Sequence, residues 1–241
     1  MTKNPVKPAK TFANRMRSLW KDNSAVAMVE FAFTAPLVLG LGMMGTETAY
    51  FTITHMQVSQ IAMQVADNAS RVGENDVLVA RKVFEDDING TLVGAEKLGA
   101  RYSIYENGRI IISSLQDNEL NDGNSPNGQT IRWQRCRGAK VIDSQYGEEG
   151  VGADDNSFPG MGGGPRRNEK IKAESGTAVI FVEVYYTYES VTPFEMFDGT
   201  ELEYTAAFNV RDKRDISQIY NREDDPAPVA RCNVYSANRP S

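Results

Sequence analysis

Residues 25–45 read Ala-Val-Ala-Met-Val-Glu-Phe-Ala-Phe-Thr-Ala-Pro-Leu-Val-Leu-Gly-Leu-Gly-Met-Met-Gly, with Glu30 as the only charge. The stretch is about as long as the roughly 20 residues an α-helix needs to cross a bilayer core. Pro36, Gly40, Gly42 and Gly45 would weaken such a helix in water, yet lipid tolerates them. A polar arm precedes it, carrying Lys3, Lys7, Lys10, Arg15, Arg17 and Lys21 against Asp22 alone. Lysine and arginine before a span hold that side in the cytoplasm, so the pattern predicts one span with its N-terminus inside. A secretory signal shares the basic start and apolar centre. A plain single-span anchor shares the whole layout. A buried soluble helix would leave the charge asymmetry without a cause.

The chain has 241 residues, 26 of them basic and 32 acidic. Removing the six basic residues and the one acidic residue of segment 1–25 leaves 20 against 31, about −11, for the rest. A body that acidic repels phosphate backbones, so nucleic acid is not an expected partner. There are two cysteines, Cys136 and Cys232, and one histidine, His55. His/Cys zinc chemistry therefore has almost no ligands, and a Ser-His-Asp or Cys-His centre would have to recruit His55 from an apolar helical pattern. No metal, no cofactor and no catalytic residue is expected, and the chain reads as a non-enzyme.

Glu30 separates a specialised span from a plain anchor. An ionised carboxylate costs on the order of 3 kcal/mol at the bilayer centre and less near the interface, so such a residue usually has a partner. Ala25 is small, four uncharged residues follow, and then come Glu30 and Phe31. This spacing resembles the prepilin processing motif. More specifically, Val29-Glu30-Phe31-Ala32 followed by Pro36-Leu37-Val38-Leu39 resembles the TadE-like minor pilins and pseudopilins of the tight-adherence pilus. Ala25 stands where that family usually has glycine. The resemblance implies cutting between Ala25 and Val26 by a prepilin-type peptidase. It also implies pairing of Glu30 with the new amino terminus of a neighbouring subunit, which in a low dielectric would offset much of the burial cost of both charges. The partners it implies are other pilus subunits, assembly-platform proteins and the lipid bilayer. The location it implies is the inner membrane, with a cytoplasmic N-terminus and a periplasmic body.

Past Gly45, Ile53, Val58, Ile61, Ala62, Val65, Ala69 and Val72 recur at helical spacing, with Gln57, Gln60, Gln64 and Asn68 between them. A helix over 26–72 would be about 70 Å long, with Gly73 as its stop. Asn75 or Asp76 would cap a second helix through Leu78, Val79, Val83, Phe84 and Ile88 to about Gly90. Residues 101–105, Asn107-Gly108 and 109–113 read as a hairpin. Residues 130–136 alternate, which puts Ile131 and Trp133 on one face. Residues 178–188 and 202–210 complete an antiparallel sheet of about four or five strands. The expectation is an α+β class: leader 1–25, long helix 26–73 and envelope domain 74–241.

Segment 145–167 is rich in glycine but has no Gly-Lys-Ser/Thr element. Glu148, Glu149, Asp154 and Asp155 fit no EF-hand spacing, and neither does segment 117–122. Both read as surface loops. Trp133-x-x-Cys136 and the run from Arg211 to Asn221 add to the resemblance with TadE-like proteins that carry extended envelope domains. Within that run, Ile216, Ile219 and Tyr220 would tuck a short helical turn against the sheet. An exported body meets an oxidising compartment, so Cys136 and Cys232 are expected to form a disulfide, two separate buried thiols being the alternative. The rival reading from another class is a single-span periplasmic enzyme or ligand-binding module. Converging carboxylates in a deep pocket would favour it.

Overall fold

A computed structural model describes residues 23–73, 81–118, 128–154, 157–162, 169–210 and 214–240, with side chains described from Val26 onward. Most of the expected leader, the proposed cap at Asn75 or Asp76, and Leu78 and Val79 lie outside these residues. The chain forms two compact units, Met1–Ala49 and Tyr50–Ser241.

Helix α1 runs over Asn23–Arg71 and contains Pro36. Thr34 and Thr46 fold their hydroxyls back onto the carbonyls of Glu30 and Gly42, both at 2.9 Å. This leaves no hydroxyl donor of theirs facing outward. The helix ends where Gly73 takes φ +130°, and a Cβ there would lie 2.8 Å from the Arg81 Cγ. The expected stop is therefore steric as well as conformational.

From Tyr50 onward, α1 packs on a four-stranded sheet. The strands are β1 (Gly108–Asp117), β2 (Gln129–Arg137), β3 (Ala178–Thr187) and β4 (Glu201–Asn209). All pairings are antiparallel, in the order β2-β1-β3-β4. Val58, Ile61, Ala62, Val65 and Ala69 meet Ile110, Ile112, Ile180, Val182 and Val184 of the sheet. Ile53, assigned to the same stripe by its spacing, is 48% exposed. The architecture is α+β and pilin-like.

Helix α2 spans Glu85–Leu98, so Val83 and Phe84 precede it rather than belong to it. Its start is fixed locally: the Asp87 carboxylate accepts the Phe84 N–H at 3.0 Å, and Glu85, Asp86 and Asp87 occupy the positive end of the helix dipole. Gly90 does not stop it. Residues 101–105 form no strand. Ala100–Tyr102 is a 3-10 turn, Ser103 is left-handed, and the Tyr105 hydroxyl reaches back to the Leu92 carbonyl at 2.7 Å.

Ile131 and Trp133 face opposite sides of the sheet. Ser114 pairs with Trp133 but Leu115 pairs with Ile131, which leaves Arg132 as a bulged, exposed residue. One extra residue inverts every side chain beyond it. Trp133 therefore joins the helix-side core. Ile131 joins a second core under the loops, with Leu115, Met161, Ala173, Val179 and Phe181. Met161, in the segment read as a surface loop, is fully buried there. Residues 155–156 and 163–168 of that loop, and residues 119–127, lie outside the described set. Residues 214–220 make isolated parallel bridges, Arg81 to Arg214 and Phe84 to Tyr220, in place of a helical turn. Ile219 still packs against the core.

Candidate functional site

Two places carry the functional argument: the first part of α1 and the C-terminal strap. In the first part of α1 the large apolar side chains point outward. Met28 is 75% exposed, Phe33 73% and Leu37 69%. None of the most apolar stretch is buried, and α1 is the one helix among the described residues long and apolar enough to cross a membrane. Water would not leave such a surface open. Ala25 lies within this helix, and Val26 is exposed on it. Glu30 follows Val26 by four residues, one helical turn, and is also exposed. This arrangement leaves its carboxylate available to a group from outside the chain.

The strap is residues 229–239, laid along the end of β2. Cys136 is joined to Cys232, with Cα atoms 4.7 Å apart. The Cys136 N–H donates to the Ala230 carbonyl at 2.9 Å, and the Gly138 N–H to Ser236 at 3.0 Å. Gly138 has φ +134°, and a Cβ there would lie 2.2 Å from the Gly108 carbonyl oxygen. Two arginines do the rest. Arg109 is fully buried. It donates to the carbonyls of Gly138 and Val234 at 3.2 Å, and to that of Cys232, and it lies over the Tyr235 ring. Burial holds its pKa below the ordinary guanidinium value. Arg137 donates to the Ala237 carbonyl at 2.9 Å, pairs with Glu96 at 2.8 Å and stacks on Tyr105.

A cavity of about 550 Å³ lies beside this strap, lined among others by Arg109, Arg135, Asp143, Glu149 and Tyr235. Each of these side chains already has a partner within the chain. Arg135 binds Glu85 through two nitrogens at 2.6 and 2.9 Å, and Glu149 at 3.0 Å. Burial opposes its charge, but hydrogen bonds and charges from Glu85 and Glu149 outweigh that and raise its pKa. Asp143 accepts the Tyr235 hydroxyl. Glu183 is a fully buried carboxyl on the loop side of β3, with its pKa raised by burial. It accepts from Ser144 at 2.5 Å, Tyr185 at 2.6 Å and the Gln145 N–H at 3.2 Å. Among the described residues, no group of three metal-ligating side chains converges.

The two cysteines come together as the composition suggested. Arg109 and Arg137 were not singled out in the sequence. The signal available was a charge beside the Ile110-Ile111-Ile112 run; the carbonyls that hold it lie 123 and 125 residues away. No family model, curated protein or solved structure matches this chain.

Proposed function

We propose that the protein is a TadE-like minor pilin or pilus-assembly component of a tight-adherence pilus. It is held in the inner membrane by residues 26–45, with its α+β head in the periplasm. The observation that carries this reading is the apolar helix with uncovered side chains that continues as the core helix of an antiparallel head. The disulfide suits an extracytoplasmic head. The work is structural: helix packing in the membrane, and contacts of the head with other pilus subunits and the assembly platform. No residue is given a catalytic role. Glu30 pairs with the amino terminus that a prepilin-type peptidase exposes at Val26 in a neighbouring copy.

The rival, a membrane-anchored periplasmic ligand-binding module or enzyme, draws on the cavity beside Arg109. Within its lining, Arg135, Glu149 and Asp143 are engaged in internal contacts and Arg109 holds the strap, which favours a structural use. Mass measurement of the mature N-terminus tests the pilin reading. Loss of residues 1–25 that depends on the peptidase is expected. Glu30→Gln is expected to leave membrane insertion intact and impair assembly. Full pilus activity from protein that retains Met1, or from the Glu30→Gln variant, overturns the reading.

A further inference from the structure

The loop that joins β3 to β4, residues 188–200, exposes apolar side chains at one end of the head. Val191 is 52% exposed, Phe194 57% and Met196 42%. The loop is well built. The Tyr188 N–H donates to the Thr200 carbonyl and the Gly199 N–H to the Tyr188 carbonyl, both at 2.9 Å, while the Asp198 carboxylate accepts the Ser190 N–H at 2.9 Å. Its exposed residues are therefore presented by a closed backbone. Phe197 anchors it on α1, stacked on Phe51 at 4.5 Å between ring centroids. Phe51 also meets Tyr188 edge-on at 4.9 Å, and Tyr50 lies against Tyr102 and Tyr188 at about 6 Å.

We propose that this loop seats on the bilayer surface at headgroup depth, as a second membrane contact beside the span. Chain connectivity supplies the occupant. Phe51 follows Gly45 by six residues, and six residues span at most about 20 Å however the chain bends, so the end of the head that holds Phe51 is tethered near the end of the apolar stretch. The exposed Val191, Phe194 and Met196 side chains are of the apolar kind that buries at the boundary between headgroups and acyl chains, while the tyrosines behind them belong to the core. The carboxylates set the depth. Glu189, Glu195 and Asp198 exclude the loop from hydrocarbon, and suit the ammonium of zwitterionic headgroups over an anionic surface.

The inference rests on reading residues 26–45 as a span, and the experiment separates the two. An environment-sensitive fluorophore is placed on the full chain, with Cys136–Cys232 intact, through Phe194→Cys, Leu37→Cys or Ser175→Cys. Ser175 lies in the exposed turn before β3, at the opposite end of the sheet. Each protein is reconstituted in phosphatidylcholine vesicles that carry a shallow or a deep lipid quencher. The residue-194 probe is expected to lose more fluorescence to the shallow quencher, the residue-37 probe more to the deep one, and the residue-175 probe none. A quenched 37 probe with an unquenched 194 probe overturns the loop contact and leaves the span standing. An unquenched 37 probe overturns both. If the 194 probe is shielded only as protein density rises, a second copy covers the loop and the proposal fails. Equal quenching at 194 and 175 also overturns it, since the head then lies on the membrane without using this loop.

Discussion

One helix, α1, solves two problems with two patterns. In residues 26–45 the apolar side chains surround the axis and are exposed on every side. In residues 50–71 a stripe of them is covered, Val58, Ile61, Ala62, Val65 and Ala69, each no more than 1% exposed, while Ile53, Met56 and Met63 remain outside it. Gln60, Gln64 and Asn68 lie outside that stripe and are exposed. The backbone hydrogen bonding is the same in both halves, so the difference lies in the solvent each half needs. An apolar surface on all sides calls for lipid or other apolar helices. A one-sided surface is satisfied by a sheet of the same chain.

Removing the covalent tie of the head is expected to have the largest effect, and it should act on the second half alone. Cys136 and Cys232 are 96 residues apart, and loss of a native bridge of that reach typically costs about 2–5 kcal/mol. Replacing both with serine should lower the melting temperature of the head and open residues 229–239 to protease. Extraction of the protein from membranes should be unchanged. An unaltered melting temperature would mean that Arg109 and Arg137 hold the strap by themselves.

Matched substitutions in the two halves come next. Ile61→Ala should destabilise the head by about 3 kcal/mol, from lost transfer energy and the cavity left behind. Leu37→Ala, made on a side chain that is 69% exposed, should leave denaturant unfolding of the head where it was. Leu37→Lys should act in the other direction, with no change in the head and a cost of about 3 kcal/mol for membrane insertion. Its readout is the fraction of protein retained in the membrane pellet. If Leu37→Ala destabilises the head as much as Ile61→Ala, the two halves do not face different solvents.

These contrasts also explain what could be read from the residues alone. The apolar N-terminal helix, the stripe on α1, the stop at Gly73, most of the strands and the pairing of two lone cysteines all follow from local periodicity or composition. The misreadings have non-local causes. The bulge at Arg132 inserts a residue that alternation cannot reveal, so Ile131 and Trp133 were assigned to one face. Residues 101–105 alternate like a strand, but the Tyr105 hydroxyl finds the Leu92 carbonyl and the chain turns. Helix α2 begins at Glu85 because Asp87 caps Phe84, and it continues past Gly90, an exposed glycine with open space around it. The arginines that clamp the strap depend on carbonyls far along the chain. The apolar loop at Val191 and Phe194 carries no period at all.

The smallest expected effect concerns the loop side of the sheet, and it is read as a pH dependence. Burial raises the Glu183 pKa above the ordinary 4.5, against the hydrogen bonds from Ser144, Tyr185 and the Gln145 N–H that favour its charge, with Glu203 adding to the rise. A carboxyl whose pKa is raised on folding binds its proton more tightly folded than unfolded. Stability is therefore lost as pH rises from about 4.5 through the folded value, because the buried group must then ionise. Asp215 works the other way. The hydroxyls of Ser217 and Tyr220 lower its pKa, so its contribution is lost as pH falls through that lowered value. Comparing the wild type with Glu183→Gln cancels Asp215 and every other group common to both. Unfolding free energies should show the wild type losing ground to the variant as pH rises from 4 to 7. Parallel curves over that range would mean that Ser144, Tyr185 and the Gln145 N–H compensate the burial of Glu183 in full. The loop side would then be as settled toward charge as the helix side is toward apolar packing.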